Sequence, residues 1–260
     1  MTYEILFLDI DGTILKPDHT YDPSTKLAIH SAKAHGLKVF IATGRPLHEI
    51  RGLAAELEID AFISYNGAYA LFQEQVLFHQ PFKEETIKNY LSLTAEHDGN
   101  LVLYTDRSNH YTSLEAPRVQ NFIRILQMKE NALIKEDTPA HTLGATLLGI
   151  VSEDLSYYDI EPGIHLSQVN VEGAKDCYDL IRSSVNKGVA VEAVLKHLGI
   201  PKEKAIAFGD GMNDKEMLRA VGHGFAMANA NPDLFQYAKY RTTAVDDNGI
   251  YNGLYHLGLI

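Results

Sequence analysis

Between Glu4 and Ser64 the chain alternates between two hydrophobic periodicities, and that alternation restricts its fold more than any other feature. Glu4–Leu8 contains the continuous apolar run Ile5-Leu6-Phe7-Leu8, the pattern of a strand buried on both faces of a parallel sheet. Asp22-Pro23 then supplies an N-cap with proline at the first helical position, and Gly36 closes the segment, which predicts a helix over 23–35. Leu37–Ala42 reads as a second strand. Leu47, Ile50, Leu53, Ala54 and Leu57 recur at helical spacing, and Ala61–Ser64 is a third strand that runs into Asn66-Gly67. The rhythm returns late in the chain. Val191, Val194, Leu195 and Leu198 mark a helix and Ala205–Phe208 a strand broken by Gly209-Asp210-Gly211. A helix near Lys215–Ala220, a short strand at Gly224–Ala226, a helix after Pro232 and a strand near Arg241–Ala244 complete the series. Such alternation implies an α/β core, a doubly wound parallel sheet with helices on both faces.

The middle of the chain breaks the pattern. Leu101–Tyr104 is strand-like, Val119–Met128 helix-like and Thr146–Val151 strand-like, with polar breaks between them. Residues 82–183 therefore read as an inserted α+β domain, leaving 1–81 and 184–260 to form the core. The single cysteine, Cys177, rules out a multi-cysteine zinc site and suits a reducing compartment; as a small apolar residue it needs no reactive role. No basic stretch with an apolar h-region opens the sequence and no apolar run reaches spanning length, so a soluble, cytoplasmic protein without membrane contact is expected. A formal net charge of −11 opposes binding to nucleic acid, and any phosphorylated ligand must be attracted locally.

In open α/β sheets ligands bind beyond the carboxyl ends of the strands. Three separate segments carry polar residues to that edge: Asp9 and Asp11 after the first strand, Thr43-Gly44-Arg45 after the second, and Asp210 with Asn213 and Asp214 after the late one. The stretch Asp9-Ile10-Asp11-Gly12-Thr13 fits a calcium loop poorly, because glycine falls at loop position 4 and Thr20 at 12. Strand alternation would send Asp9 and Asp11 out on one side. Together with Asp210 they would repel one another unless a cation lay between them, and all-oxygen donors favour Mg²⁺. Lys187 opens a helix, where a cation opposes the dipole; it is either a solvated surface lysine or a phosphate clamp. Thr43 and Gly44 offer a hydroxyl and an unshielded N–H to phosphoryl oxygens, and Arg45 either joins them or pairs with a nearby acid.

Four motifs in order, DIDGT at 9–13, ATGR at 42–45, NKG at 186–188 and GDGMND at 209–214, resemble the haloacid dehalogenase superfamily of phosphohydrolases, and more closely its Cof-type subfamily. The stretches 65–68, 225–230 and 247–250 are similar to that subfamily too. The resemblance implies a Rossmann-like core with a large cap of the C2 type at 82–183, and a Mg²⁺-dependent phosphatase acting on a small phosphorylated metabolite, such as a sugar phosphate or phosphorylated cofactor. It implies that Asp9 is the nucleophile, forming an aspartyl-phosphate, and that Asp11 is the general acid and base. Mg²⁺ would be held by the Asp9 carboxylate, the Asp11 carbonyl and Asp210, with Asp214 in support. Phosphate would meet the Ile10 backbone, Thr43, Gly44, Lys187 and Asn213. A phosphomutase or phosphotransferase on the same fold, or a non-catalytic metabolite-binding protein, are the alternatives.

Overall fold

The computed structural model describes residues 2–260. In chain order the first elements are β1 (Ile5–Leu8), α1 (Pro23–Ala34), β2 (Lys38–Ala42), α2 (Leu47–Glu56), β3 (Ala61–Ser64), β4 (Tyr69–Phe72) and β5 (Gln75–His79). The middle contains α3 (Glu84–Glu96), β6 (Asn100–Tyr104), β7 (Asn109–Tyr111), α4 (Pro117–Leu126), β8 (Asn131–Leu133), β9 (Gly144–Leu148), β10 (Ile164–Gln168) and β11 (Cys177–Arg182). The last third adds α5 (Lys187–Leu198), β12 (Ala205–Gly209), α6 (Lys215–Ala220), β13 (His223–Ala226), β14 (Tyr240–Arg241) and α7 (Gly249–His256). The chain separates into two compact units. One takes the chain up to Arg45 with Gly52–His79 and Asn186–Ile260, the other Pro46–Arg51 and Gln80–Val185.

The first unit is an eight-stranded sheet in the order β14-β13-β12-β1-β2-β3-β4-β5. From β14 to β3 all neighbours are parallel, as the strand-helix rhythm requires. All four residues of β1 are buried, which explains its unbroken apolar run. Asp22 occupies the N-cap position of α1 in an extended conformation, but its carboxylate accepts from Lys16 Nζ at 2.8 Å rather than capping the helix; Pro23 lies in the first turn, and Ala28, Ile29 and Ala32 are buried. On one face of the sheet Ile5, Phe7, Phe40 and Ala207 pack against Val191, Val194 and Leu195 of α5 and Met217 and Leu218 of α6. On the other face Phe208, stacked on Phe225 with ring centroids 4.7 Å apart, meets α7. Helix α1 lies beside α7, where Ser31 Oγ donates to the Leu259 carbonyl at 2.8 Å.

Four features depart from the sequence reading. The sheet does not stop at β3: β4 and β5 extend it as an antiparallel hairpin. Its turn, Gln73-Glu74, adopts positive φ at both residues without the glycine or asparagine that normally announces such a turn. The segment after Pro232 is a 3₁₀ helix, Pro232–Tyr237, and β14 has two residues at Tyr240–Arg241 rather than four near 241–244. Helix α7 went unread because Gly249 and Gly253 interrupt its apolar pattern.

The second unit is a six-stranded sheet, β10-β11-β9-β6-β7-β8, antiparallel except for the β7–β8 pair. Ile87 and Tyr90 of α3 pack with Leu101, Leu103, Leu147 and Leu180, while Val119 and Phe122 of α4 pack with Val102, Tyr111, Leu148 and Cys177. These partners alternate along each strand, so the two helices cover opposite faces. Cys177 is buried and its thiol is pushed up to about 12 by that burial and by Asp176, which removes it from thiolate chemistry. Among the described residues no helix is long and apolar enough to cross a membrane.

The contact of α7 with the sheet can be tested by volume. A Cβ at Gly253 would lie 2.4 Å from the Phe208 ring, inside a stack with nowhere to move. Gly253→Ala should lower unfolding free energy by about 1–3 kcal/mol in a denaturant titration; an unchanged midpoint would mean that α7 does not pack on Phe208.

Candidate active site

Asp9 follows β1 directly. Its N–H donates to the Phe208 carbonyl at 3.1 Å, continuing the β1–β12 pairing, and its side chain is 8% exposed. β1 itself ends at Leu8, so the alternation that would place Asp9 and Asp11 alike does not continue through the motif. The chain folds back at once: the Ile10 carbonyl accepts from the N–H groups of Thr13, Ile14 and Leu15, and Gly12 takes φ +85°. The two carboxylates therefore enter different surroundings, Asp9 buried and Asp11 with its side chain 55% exposed.

Lys187 is the centre of the buried part. Its side chain is 0% exposed, and its Nζ donates to Asp9 Oδ1 at 2.5 Å and to Asp214 Oδ1 at 2.6 Å. Asn186 caps α5 by accepting from Val189 N at 3.0 Å, which fixes Lys187 as the first helical residue. Here the surface-lysine alternative fails. Burial works against the ammonium, yet Asp214 and Asp9 outweigh it and its pKa is raised, so Lys187 stays charged.

Asp214 is the most heavily hydrogen-bonded of the three carboxylates. Its Oδ2 accepts from Asp210 N and Gly211 N, each at 3.0 Å, and its Oδ1 from Lys187. Asp9 and Asp210 keep more of their lone pairs free. Asp210 Oδ1 accepts from Thr13 Oγ1 at 3.1 Å, and the backbone of the first motif runs against the same carboxylate, since a Cβ on Gly12 would lie 2.2 Å from Asp210 Oδ2. Oxygens of Asp9, Asp210 and Asp214 come within 4.8 Å of one another.

Three carboxylates against one ammonium leave an excess of two negative charges in a largely dry place. Burial first, and then the neighbouring Asp214, raises the Asp9 pKa well above the usual carboxylate range; Lys187 offsets only part of this. Burial and Asp214 likewise raise Asp210 to about 6. A divalent cation matches both the charge excess and the all-oxygen donor set, so the residues present fit a hard metal held by Asp9 and Asp210.

The remaining predicted residues form two further groups. Arg45 pairs with Asp11 through both arms of its guanidinium, Nε to Oδ2 at 2.8 Å and an Nη to Oδ1 at 2.5 Å. Thr43 is 1% exposed; its Oγ1 accepts from Arg45 N at 3.1 Å, so its hydroxyl hydrogen remains to donate. Asn66 N donates to the Thr43 carbonyl, and the Asn66 side chain accepts from Asn213 Nδ2 at 3.1 Å while lying against Gly44. Asn213 in turn neighbours Asp214, which ties this group to the lysine cluster.

Sequence reasoning assigned no role to Thr13, Asn66, Asn186 or Asn229. Thr13 orients Asp210, and Asn229 braces the first motif by donating to the Gly12 carbonyl at 2.8 Å. Asn66-Gly67 carries the general signal of a left-handed turn, and Asn66 has φ +53°. Nothing in one sequence separates such a turn from one that supports a site.

A parallel sheet whose carboxyl edge gathers an aspartate, a second aspartate two residues on, a threonine, a buried lysine and a late acidic pair defines a family by its geometry. The chain belongs to the haloacid dehalogenase-like hydrolases, whose family model matches residues 6–254. It is 31% identical over 263 residues to YkrA of Bacillus subtilis (strain 168), covering 100% of both chains. It is 29% identical over 232 residues to the HMP-PP phosphatase of Cronobacter sakazakii (strain ATCC BAA-894), covering 87% of this chain and 84% of that one. Among solved structures, the subclass IIB sugar phosphatase BT4131 superposes with a TM-score of 0.81 at 27% identity, over 99% of this chain and 100% of that one.

The charge excess has a thermodynamic consequence. Because folding raises the Asp210 carboxyl from its ordinary 3.8 to about 6, its contribution to stability is complete below about pH 4 and is lost as pH rises through about 6. That amounts to about 3 kcal/mol at most. In chelator at pH 7.5, Asp210→Asn should melt several degrees above the wild type, with the gap closing toward pH 4. Added Mg²⁺ should raise the wild-type melting temperature and leave the variant unmoved. A variant that melts lower than wild type in chelator at pH 7.5 contradicts the charge excess.

Proposed function

We propose that this phosphatase hydrolyses a small phosphorylated metabolite in two half-reactions through an aspartyl-phosphate at Asp9. The observation that carries the reading is Lys187, charged and wholly buried between Asp9 and Asp214. It keeps one oxygen of Asp9 occupied and the carboxylate fixed, leaving the other oxygen to act.

In the first half-reaction that oxygen attacks phosphorus in line, and the bond from phosphorus to the substrate's ester oxygen breaks. Asp11 gives its proton to the departing alcohol. In the second, Asp11 takes a proton from water as the water oxygen attacks phosphorus; the bond to Asp9 breaks and inorganic phosphate leaves. Asp11 suits proton work because it stands at the surface of the cluster, outside the lysine's reach. Its grip by Arg45 must loosen at one oxygen before a proton can be passed. The Thr43 hydroxyl, the N–H groups of Ile10 and Gly44, Asn213 and Lys187 receive the phosphoryl oxygens. Asp9, Asp210 and the Asp11 carbonyl would hold Mg²⁺, which when bound would supply the charge neutralisation that lets an anionic carboxylate approach an anionic ester. The substrate is a sugar phosphate or phosphorylated cofactor; the sugar phosphatase and HMP-PP phosphatase among the relatives support a small phosphorylated metabolite. The inserted segment 82–183, which makes up most of the second unit, is assigned as the cap domain.

With Mg²⁺ and a phosphometabolite panel, Asp9→Asn should lose phosphate release by about a thousandfold or more while keeping its circular dichroism. Turnover near the wild-type rate would sink the nucleophile assignment. Asp11→Asn separates the two half-reactions. Nitrophenyl phosphate has a leaving group that needs no proton, so this variant should release about one equivalent of nitrophenol rapidly and then stall. Steady wild-type turnover would remove Asp11 from proton transfer, and sugar-phosphate isomerisation without phosphate release would favour a mutase.

A further inference from the structure

Beyond β3 three successive residues hold the left-handed backbone conformation: Tyr65 at φ +55°, Asn66 at φ +53° and Gly67 at φ +102°. Side chains disfavour that region, and a run of this kind persists only where its surroundings over-determine it. Two neighbouring segments of the first unit do so here. Tyr65 N donates to the Arg45 carbonyl at 3.3 Å and Asn66 N to the Thr43 carbonyl at 3.1 Å, which ties the turn to the Thr43-Gly44-Arg45 segment. On the other side a Cβ at Gly67 would fall 2.2 Å from the Asn186 carbonyl oxygen, so the turn is pressed against the residue that precedes Lys187.

A turn serving only to lead into β4 would need this backbone and nothing more, and glycine at 66 would adopt it without steric cost. Asn66 adds a directed bond. Its Oδ1 accepts from Asn213 Nδ2 at 3.1 Å, the one hydrogen bond of the Asn213 side chain among the described residues. Asn213 is exposed, so packing does not orient its amide. The bond to Asn66 does, with the nitrogen toward Asn66 and the oxygen toward Gly211, where a Cβ would stand 2.4 Å from Asn213 Oδ1. A carboxamide nitrogen carries two hydrogens and the oxygen none. With one hydrogen spent on Asn66, the second is left to donate to an anion, whereas an amide turned over would present its oxygen to the phosphoryl group and repel it. The Asn66 amide is itself held in place, lying 3.0 Å from where a Cβ on Gly44 would stand.

We propose that Asn66 is a positioning residue for phosphoryl binding: it turns the Asn213 amide so that a hydrogen, not an oxygen, meets the ligand, and it does so from a turn braced on the Thr43 and Lys187 segments. This rests on the assignment of Asn213 to the phosphoryl group made above, and it gives Asn66 no contact with the ligand.

The test uses the full chain with Mg²⁺, as wild type, Asn66→Gly, Asn213→Ala and the double variant. Glycine keeps the left-handed backbone and removes only the amide, so the melting temperature should hardly move; if Asn66→Gly does not fold, Asn66→Ser, too short to reach Asn213, replaces it. For the phosphomonoester that the wild type hydrolyses fastest, Asn66→Gly should lower kcat/KM and weaken inhibition by inorganic phosphate, each about tenfold, the scale of one hydrogen bond to a charged group. In the double variant the loss should equal that of Asn213→Ala alone, because a residue acting through Asn213 has nothing left to act on. Additive losses, the mark of a merely structural role, or an Asn66→Gly protein within about twofold of wild type, overturn the proposal. Wild-type protein that hydrolyses no ester would end the phosphatase reading instead. The Asn213 side-chain amide is then followed by heteronuclear NMR as inorganic phosphate is added. A shift of its signal in the wild type that is lost in Asn66→Gly upholds the positioning role; an equal shift in both, or none in the wild type, overturns it.

Discussion

The first unit is organised around one ammonium group held between two carboxylates. Lys187 lies in the first turn of α5, where a cation opposes the helix dipole, and it is completely buried. Neither condition is tolerable alone. Asp9 from the tip of β1 and Asp214 from the loop after β12 make both tolerable, and in return the lysine fixes the relative positions of three chain segments. Removing either partner would leave an unpaired buried charge, among the costliest defects a protein interior can carry. The site is thus part of what holds the carboxyl edge of the sheet together. Its remaining two negative charges explain why the same cluster suits a divalent cation.

Much of this was legible because the sequence changes period where the structure changes element. The buried strands β1, β2 and β12 read as continuous apolar runs, and α1 was bounded by Asp22-Pro23 and Gly36. What escaped has physical causes. The β4–β5 hairpin turns through Gln73-Glu74, residues that carry no turn signal, and α7 hides its period behind two glycines. In the site, the separate motifs gave the residues but not their pairing. Burial divides Asp9 from Asp11, and burial is set by the tight turn at Ile10–Leu15 rather than by strand alternation. Lys187 could not be told from a surface lysine until the loop carrying Asp214 was seen to close over it.

The second unit handles charge in the opposite way. The first unit neutralises buried carboxylates with a lysine and leaves room for a metal, whereas Asp179 has a threonine and, behind it, a tyrosine. A neutral relay orients a carboxylate without cancelling it.

The sequence separation within the cluster has a consequence for how the chain is made. Ile5 pairs with Ala205, so β1 must wait for a neighbour synthesised 200 residues later. At cellular elongation rates that is about 10–40 s. During the interval β1 can pair with β2 alone, and Asp9 has neither Lys187 nor Asp210 beside it. The aspartate therefore stays hydrated on a half-built sheet, and its desolvation falls due only when β12 and α5 arrive carrying the lysine. These buried charges come together only late in synthesis, so an earlier nascent intermediate need not bury Asp9 unpaired.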